Sequence, residues 1–208
     1  MNMKNSLIKI TTIGLFSLAT LFSFSQNEIE LRNAFKQSYV DEYNLKYAKA
    51  IEALAQFANL NTYEVHVRLA WLNYCNLKFN DAAMHYKKSV ELAPKSLEAR
   101  MGYIYTLASL EKWDLVIDQY KTILGIDPTH AVANYNLALI YYNRADYKSA
   151  LPFITTYINC YPFNFDGVNL AGWIKFNLGN KEEAISYFKK ALLLSPDEKK
   201  YDTILKVK

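Results

Sequence analysis

Residues 131–164 read AVANYNLALIYYNRADYKSALPFITTYINCYPFN. Leu137, Ala138 and Tyr141 mark one apolar face, and Tyr147, Ala150 and Ile154 mark a second one a short polar link later. Steps of three and four residues predict two amphipathic helices packed against each other. Pro162 cannot continue the second helix and turns the chain out of it. The same proline recurs. Pro94, Pro128, Pro162 and Pro196 are each 34 residues from the next, and they are four of the five prolines in the chain. A fixed period of this size is the mark of a stacked array, which outranks local propensity as evidence of fold.

Working outward from that segment gives repeats at 63–96, 97–130, 131–164 and 165–198. Twelve residues before each proline stands Ala82, Val116, Ala150 or Ala184; eight before stands Tyr86, Tyr120, Ile154 or Phe188. Fifteen before are Phe79, Trp113, Tyr147 and Lys181. These columns resemble the tetratricopeptide repeat, whose pattern sets small residues at positions 8, 20 and 27, large apolar ones at 7, 11, 17 and 24, and proline at 32. The last repeat follows it with Ala171-Gly172, Gly179-Asn180, Ala184, Phe188, Ala191 and Pro196. The resemblance implies an all-α fold, an α–α superhelix of antiparallel helix pairs A and B. One pair cannot bury its own face, so the pairs must stack and the ends need caps.

A fifth, degenerate repeat is expected over 29–62, with Ile29 to Tyr43 as its first helix and Tyr47, Ala50, Ile51, Leu54 and Phe57 on its second. It is about two residues short and has no proline. Residues 197–208, with Tyr201, Ile204 and Leu205 among charged neighbours, read as a short capping helix. Four departures stand out. Ile104 fills a small position, with Gly102 two residues earlier. Lys175 and Lys181 replace aromatics, which suggests a wetter side to the last repeat. Pro152 falls inside a predicted helix, where it should bend the helix or delay its start.

Composition agrees with this class. The chain of 208 residues is 51% hydrophobic and 21% charged, which excludes disorder, and its six glycines are too few for an all-β domain rich in tight turns. Residues 1–25 read as a secretory signal: Lys4 and Lys9, an apolar run from Ile10, then Ser23-Phe24-Ser25 as a cleavage site. An uncleaved anchor is the rival, but the run is short of the ~20 residues of a span and contains Thr11, Thr12, Ser17 and Thr20. Export to the periplasm or beyond follows. Without Lys4 and Lys9 the chain keeps 22 basic and 20 acidic residues. That near balance, with signs interspersed, gives no footprint for nucleic acid.

Motifs for catalysis, nucleotide binding and metal binding do not occur, so no enzyme activity, cofactor or metal is expected. His66, His85 and His130 lack the i+3 or i+4 partners of a helical metal site and read as packing or surface residues. The acidic residues read as partners of lysines along their own helices, as in Glu182-Glu183 near Lys189-Lys190. Cys75 and Cys160 fall at helix ends two repeats apart, too far for the ~7 Å Cα separation of a disulfide. Both are expected as free thiols.

The resemblance also implies that the A helices line a groove, through positions 2, 5, 9, 12 and 13. Position 9 holds Trp71, Tyr105, Leu139 and Trp173; position 12 holds Tyr74, Ala108, Tyr142 and Phe176. Large aromatics at position 9 exceed what the family pattern requires. The expected partner-binding residues are Trp71, Tyr74, Tyr105, Tyr142, Trp173 and Phe176, with Asn143 and Asn177 bonding a bound backbone. The partner is an unidentified protein or peptide and the function a non-catalytic scaffold. Three alternatives stand beside it: stacking of sugar rings on the same aromatics, a stripe covered by neighbouring helices, and, from a different class, an enzyme, which acids and a histidine converging in a pocket would indicate. The clamp that some family members use on chaperone tails is absent, since Trp or Tyr stands where it needs Asn, and Arg68 is nearly alone.

Overall fold

The computed structural model describes residues 27–196 and Tyr201. The expected signal segment, and all of the expected cap except Tyr201, lie outside the described residues. Among the described residues there are helices and turns but no strand, so the fold is the all-α helix-pair repeat. The chain divides into two compact units at Leu110–Glu111.

The first unit holds α1 (27–43), α2 (Tyr47–Ala55), a short 3-10 turn (Ala58–Leu60), α3 (Tyr63–Cys75), α4 (Phe79–Leu92) and α5 (Leu97–Ser109). Over the expected degenerate repeat, Ala34, Ala50 and Leu54 share a core with Val65, Leu69 and Leu72 of α3. Where the proline is missing, the 3-10 turn and a left-handed Asn61 (φ 53°) end the pair. Helices α3 and α4 form a hairpin, α4 packs on α5, and α3 also touches α5, which sets A helices side by side.

The second unit holds α6 (Trp113–Ile126), α7 (Ala131–Asn143), α8 (Tyr147–Cys160), α9 (Phe165–Asn177) and α10 (Lys181–Leu194). Its hairpins are α7–α8 and α9–α10, with α6 packed on α7, α8 on α9, and α7 touching α9. Ala138, Ala150, Ile154 and Ile158 share one core with Leu170, Ala171 and Ile174. Val168, Ala184, Phe188 and Ala191 form another, closed by Tyr201.

Local chemistry explains the period. Helices α4, α6, α8 and α10 each end two residues before the repeat proline. The intervening Ala93, Asp127, Tyr161 and Ser195 have φ between −143° and −126° and positive ψ. A following proline forbids the helical conformation at that residue, so the exit from each B helix is fixed. The next helix is then capped by Ser96, His130 or Asn164, whose side chains accept the amides of Ala99, Ala133 and Gly167. Arg100 and Asn134, at the same repeat position, donate back to the carbonyls of Pro94 and Pro128.

Two expectations need correction. Pro152 does not delay α8, which starts at Tyr147 in register with α6 and α10. The last repeat is not simply wetter at Lys175. That lysine is largely covered, and its Nζ meets Glu183 Oε2 at 2.8 Å, so Glu183 pairs with the preceding helix rather than with the Lys189-Lys190 run.

Candidate functional site

Helices α1, α3 and α5 present one face to a cavity of about 710 Å³. The i, i+4, i+8 rhythm of Tyr63, Val67 and Trp71 on α3, continued by Tyr74, puts four large side chains along it. Tyr39 of α1 and Tyr105 of α5 complete the walls. Trp71 is 44% exposed and Tyr105 51% exposed, unusual values for aromatics inside a repeat. Trp71 and Tyr74 stack at 6.2 Å, and Tyr74 leans on Phe79 at 5.6 Å. The indole N–H of Trp71 donates to Glu42 Oε1 at 2.5 Å, which fixes the ring orientation.

The charged groups of this face are specifically arranged. Arg68 is 8% exposed and makes three contacts with α1. Its Nη1 pairs with Glu42 at 2.5 Å, its Nε donates to Ser38 Oγ at 3.1 Å, and its guanidinium lies 3.9 Å from the centre of the Tyr39 ring. Tyr63 shares a 2.8 Å hydrogen bond with Ser96 Oγ and donates to Glu98 Oε2 at 3.0 Å. Burial pushes the Tyr63 hydroxyl up, and the charges of Glu98 and Glu64 add to that. Tyr86, at the floor, is pushed up chiefly by burial.

Trp71, Tyr74 and Tyr105 are thus brought together. In the second unit Tyr142 packs on Tyr147 at 5.6 Å against the central core, and Asn143 beside it is exposed. Trp173 is half-buried, 5.0 Å from Phe188 and 5.9 Å from Phe176. Asn177 donates its amide to the Trp173 carbonyl at 2.8 Å. Among the described residues no three His, Cys, Asp or Glu side chains come together as a metal site, and no helix is long and apolar enough to cross a membrane. Cys75 and Cys160 are free thiols.

The sequence model of the tetratricopeptide repeat matches residues 167–198. A solved structure of the protein MamA is 23% identical over 83% of this chain and 96% of its own, with a TM-score of 0.70. Another MamA structure is 24% identical, covering 79% of this chain and 97% of its own, with a TM-score of 0.66. MamA from residue 41 to its end, from Desulfovibrio magneticus RS-1, is 15% identical over 82% of this chain and 97% of its own, also at 0.66. Residues 167–198 thus match the tetratricopeptide repeat, and the described residues share the fold of MamA. No curated protein matches the chain. At these identities the likeness to MamA is one of fold.

Within the tetratricopeptide frame, sequence reading missed the polar half of the face. Arg68 occupies a position that the family pattern leaves free, and its partners Ser38 and Glu42 lie in the repeat whose register is broken. Their only signal was helical spacing, since Arg68, Trp71 and Tyr74 follow one another at three residues. His66 and His85 were missed as a pair: their Nδ1 atoms are 3.0 Å apart.

Proposed function

We propose that this protein is an exported, non-catalytic scaffold that holds a segment of a partner protein on the α1–α3–α5 face. The observation that supports it is the pair of exposed rings, Trp71 and Tyr105, standing over a cavity of about 710 Å³. Exposed aromatics of this kind anchor peptide side chains at low entropic cost. Trp71 is pre-set by Glu42 and Arg68, so little ordering is lost on binding. Trp173, Phe176 and Tyr142, with Asn143 and Asn177, are the corresponding positions of the later repeats.

Affinity capture from an envelope extract tests the reading, run with the wild-type protein, Trp71→Ala and Trp173→Ala side by side. A specifically retained protein should be lost with Trp71→Ala while the helical circular dichroism is unchanged. Equal retention by all three would overturn the groove. Export is tested separately, by N-terminal sequencing of the protein recovered from the periplasm; a new start near residue 26 is expected.

A further inference from the structure

We infer that the segment held on the α1–α3–α5 face is basic, and that a lysine or arginine of the partner sits between Glu64 and Glu98 against the aromatic wall. The inference rests on the scaffold reading above and names the chemistry of its partner. Three charged side chains line the cavity: Glu64, Arg68 and Glu98. Arg68 is already committed. Its charge is offset by Glu42 and its flat face is covered by Tyr39; only Nη2 lacks a partner, and that atom is buried away from a ligand in the cavity. Glu64 and Glu98 are exposed, at the first turns of α3 and α5. The hydroxyl of Tyr63 holds Glu98 in place.

Because Glu42 already offsets Arg68, Glu64 and Glu98 leave the lining with an excess of negative charge. The surrounding rings reinforce that choice of ligand, since Tyr63, Trp71 and Tyr105 are π-surfaces within one cavity. A cation lying on a ring face is attracted by the ring quadrupole, by ~0.5–2 kcal/mol depending on desolvation. An acidic side chain would meet repulsion from both glutamates and would find its only cation, Arg68, already bonded. A peptide with one basic residue beside one apolar residue satisfies both the carboxylates and the rings.

The test is selection of random twelve-residue peptides displayed on phage against the immobilised full chain, followed by fluorescence anisotropy of the enriched peptides. Enriched peptides should share a Lys or Arg, bind about tenfold more weakly to the Glu64→Gln/Glu98→Gln double variant, and weaken with added salt. They should also lose binding to Trp71→Ala. Peptides that need Trp71 but are neutral or acidic, or that ignore the glutamine variant, would overturn the basic-ligand inference and leave the groove standing. Peptides indifferent to Trp71→Ala, or no enrichment at all, would overturn the groove itself and this inference with it. Both glutamates are exposed and glutamine preserves the acceptor for Tyr63, so the double variant should fold, as circular dichroism will show.

Discussion

The ring of Tyr86 packs against Gly102, so close that a Cβ there would stand 2.3 Å from two ring carbons. Helix α5 carries Ile104, fully buried, where the repeat pattern wants a small residue, while its close approach to α4 of the preceding pair falls at Gly102. Tyr86 is itself buried, so its ring has little room to retreat. Gly102→Ala should therefore destabilise the fold by ~1–2 kcal/mol, an overpacking cost of ~1–3 kcal/mol partly offset by alanine's better helix propensity. Gly125 is the internal contrast. It also lies in a helix, but nothing stands within 4 Å of a Cβ built there. Gly125→Ala should stabilise by ~0.5–1 kcal/mol. Urea denaturation of the two variants checks both signs.

A second prediction comes from the turns between paired helices. Leu45, Leu77, Glu111, Ala145 and Gly179 all have φ between 57° and 84°, one in each link between an A helix and its B helix. Only Gly179 adopts this left-handed conformation without penalty. Leu77 is 74% exposed, so its side chain contributes little packing. Leu77→Gly should raise stability by ~1 kcal/mol, because strain of ~1–3 kcal/mol is relieved against the extra freedom glycine has when unfolded. A fall in the thermal midpoint would show that the leucine makes contacts worth more than its strain.

These turns also show what the sequence could disclose. The proline period marked where α4, α6, α8 and α10 must leave off, because a proline restricts its neighbour regardless of context. The links at Leu77, Glu111 and Ala145 were invisible, since three unlike residues adopt one conformation under tertiary constraint. The candidate site divides in the same way. Trp71 and Tyr105 stood out as large aromatics in a column that does not require them. Arg68 did not, because its role depends on Ser38, Tyr39 and Glu42, and those lie in the repeat whose register is broken.

Arg68 gives the third prediction. It joins α3 to α1 through an ion pair, a hydrogen bond and a ring contact; Arg68 and Ser38 are buried, Glu42 is largely covered and Tyr39 is half exposed. Removing one partner of a buried ion pair leaves the other uncompensated, at ~3–5 kcal/mol when burial is complete. Glu42 is 25% exposed, so Arg68→Ala should cost ~2–3 kcal/mol. Arg68→Lys should recover only part of this, because an ammonium cannot reach Ser38 and Glu42 together while lying flat on Tyr39. Full recovery by lysine in chemical denaturation would mean that charge alone matters there.

The two thiols should differ in reactivity. Cys160 is exposed at the end of α8, whereas Cys75 is half-buried at the end of α3. Burial, then the Glu42 carboxylate, push the Cys75 thiol up, with Arg68 opposing. The thiolate is the reactive form, so Cys75 is handicapped twice. A maleimide or disulfide reagent at neutral pH should modify one thiol quickly and the second slowly, and Cys160→Ser should abolish the fast phase. A single phase for both thiols in the native protein would contradict the burial of Cys75.

The last prediction concerns acid. His66 and His85 face each other across the α3–α4 hairpin, with ring centres 5.2 Å apart and Nδ1 atoms sharing a hydrogen bond. Burial, then Lys88, hold His66 below its ordinary value; burial, then His66, do the same to His85, with Asp81 opposing. Asn61, Lys87 and Glu91 lie around the same hollow. The unfolded chain therefore takes up protons at higher pH than the folded one, and stability falls wherever it does so. The pair's contribution is complete above the unfolded value, about pH 6.5, and is lost as pH falls through the depressed folded values. Two protonated rings would also set N–H against N–H and end their hydrogen bond. Between about pH 7.5 and about pH 5 the thermal midpoint should drop further in the wild type than in His85→Phe, which keeps a ring but cannot titrate. Parallel decline of the two proteins would assign the acid sensitivity to other groups.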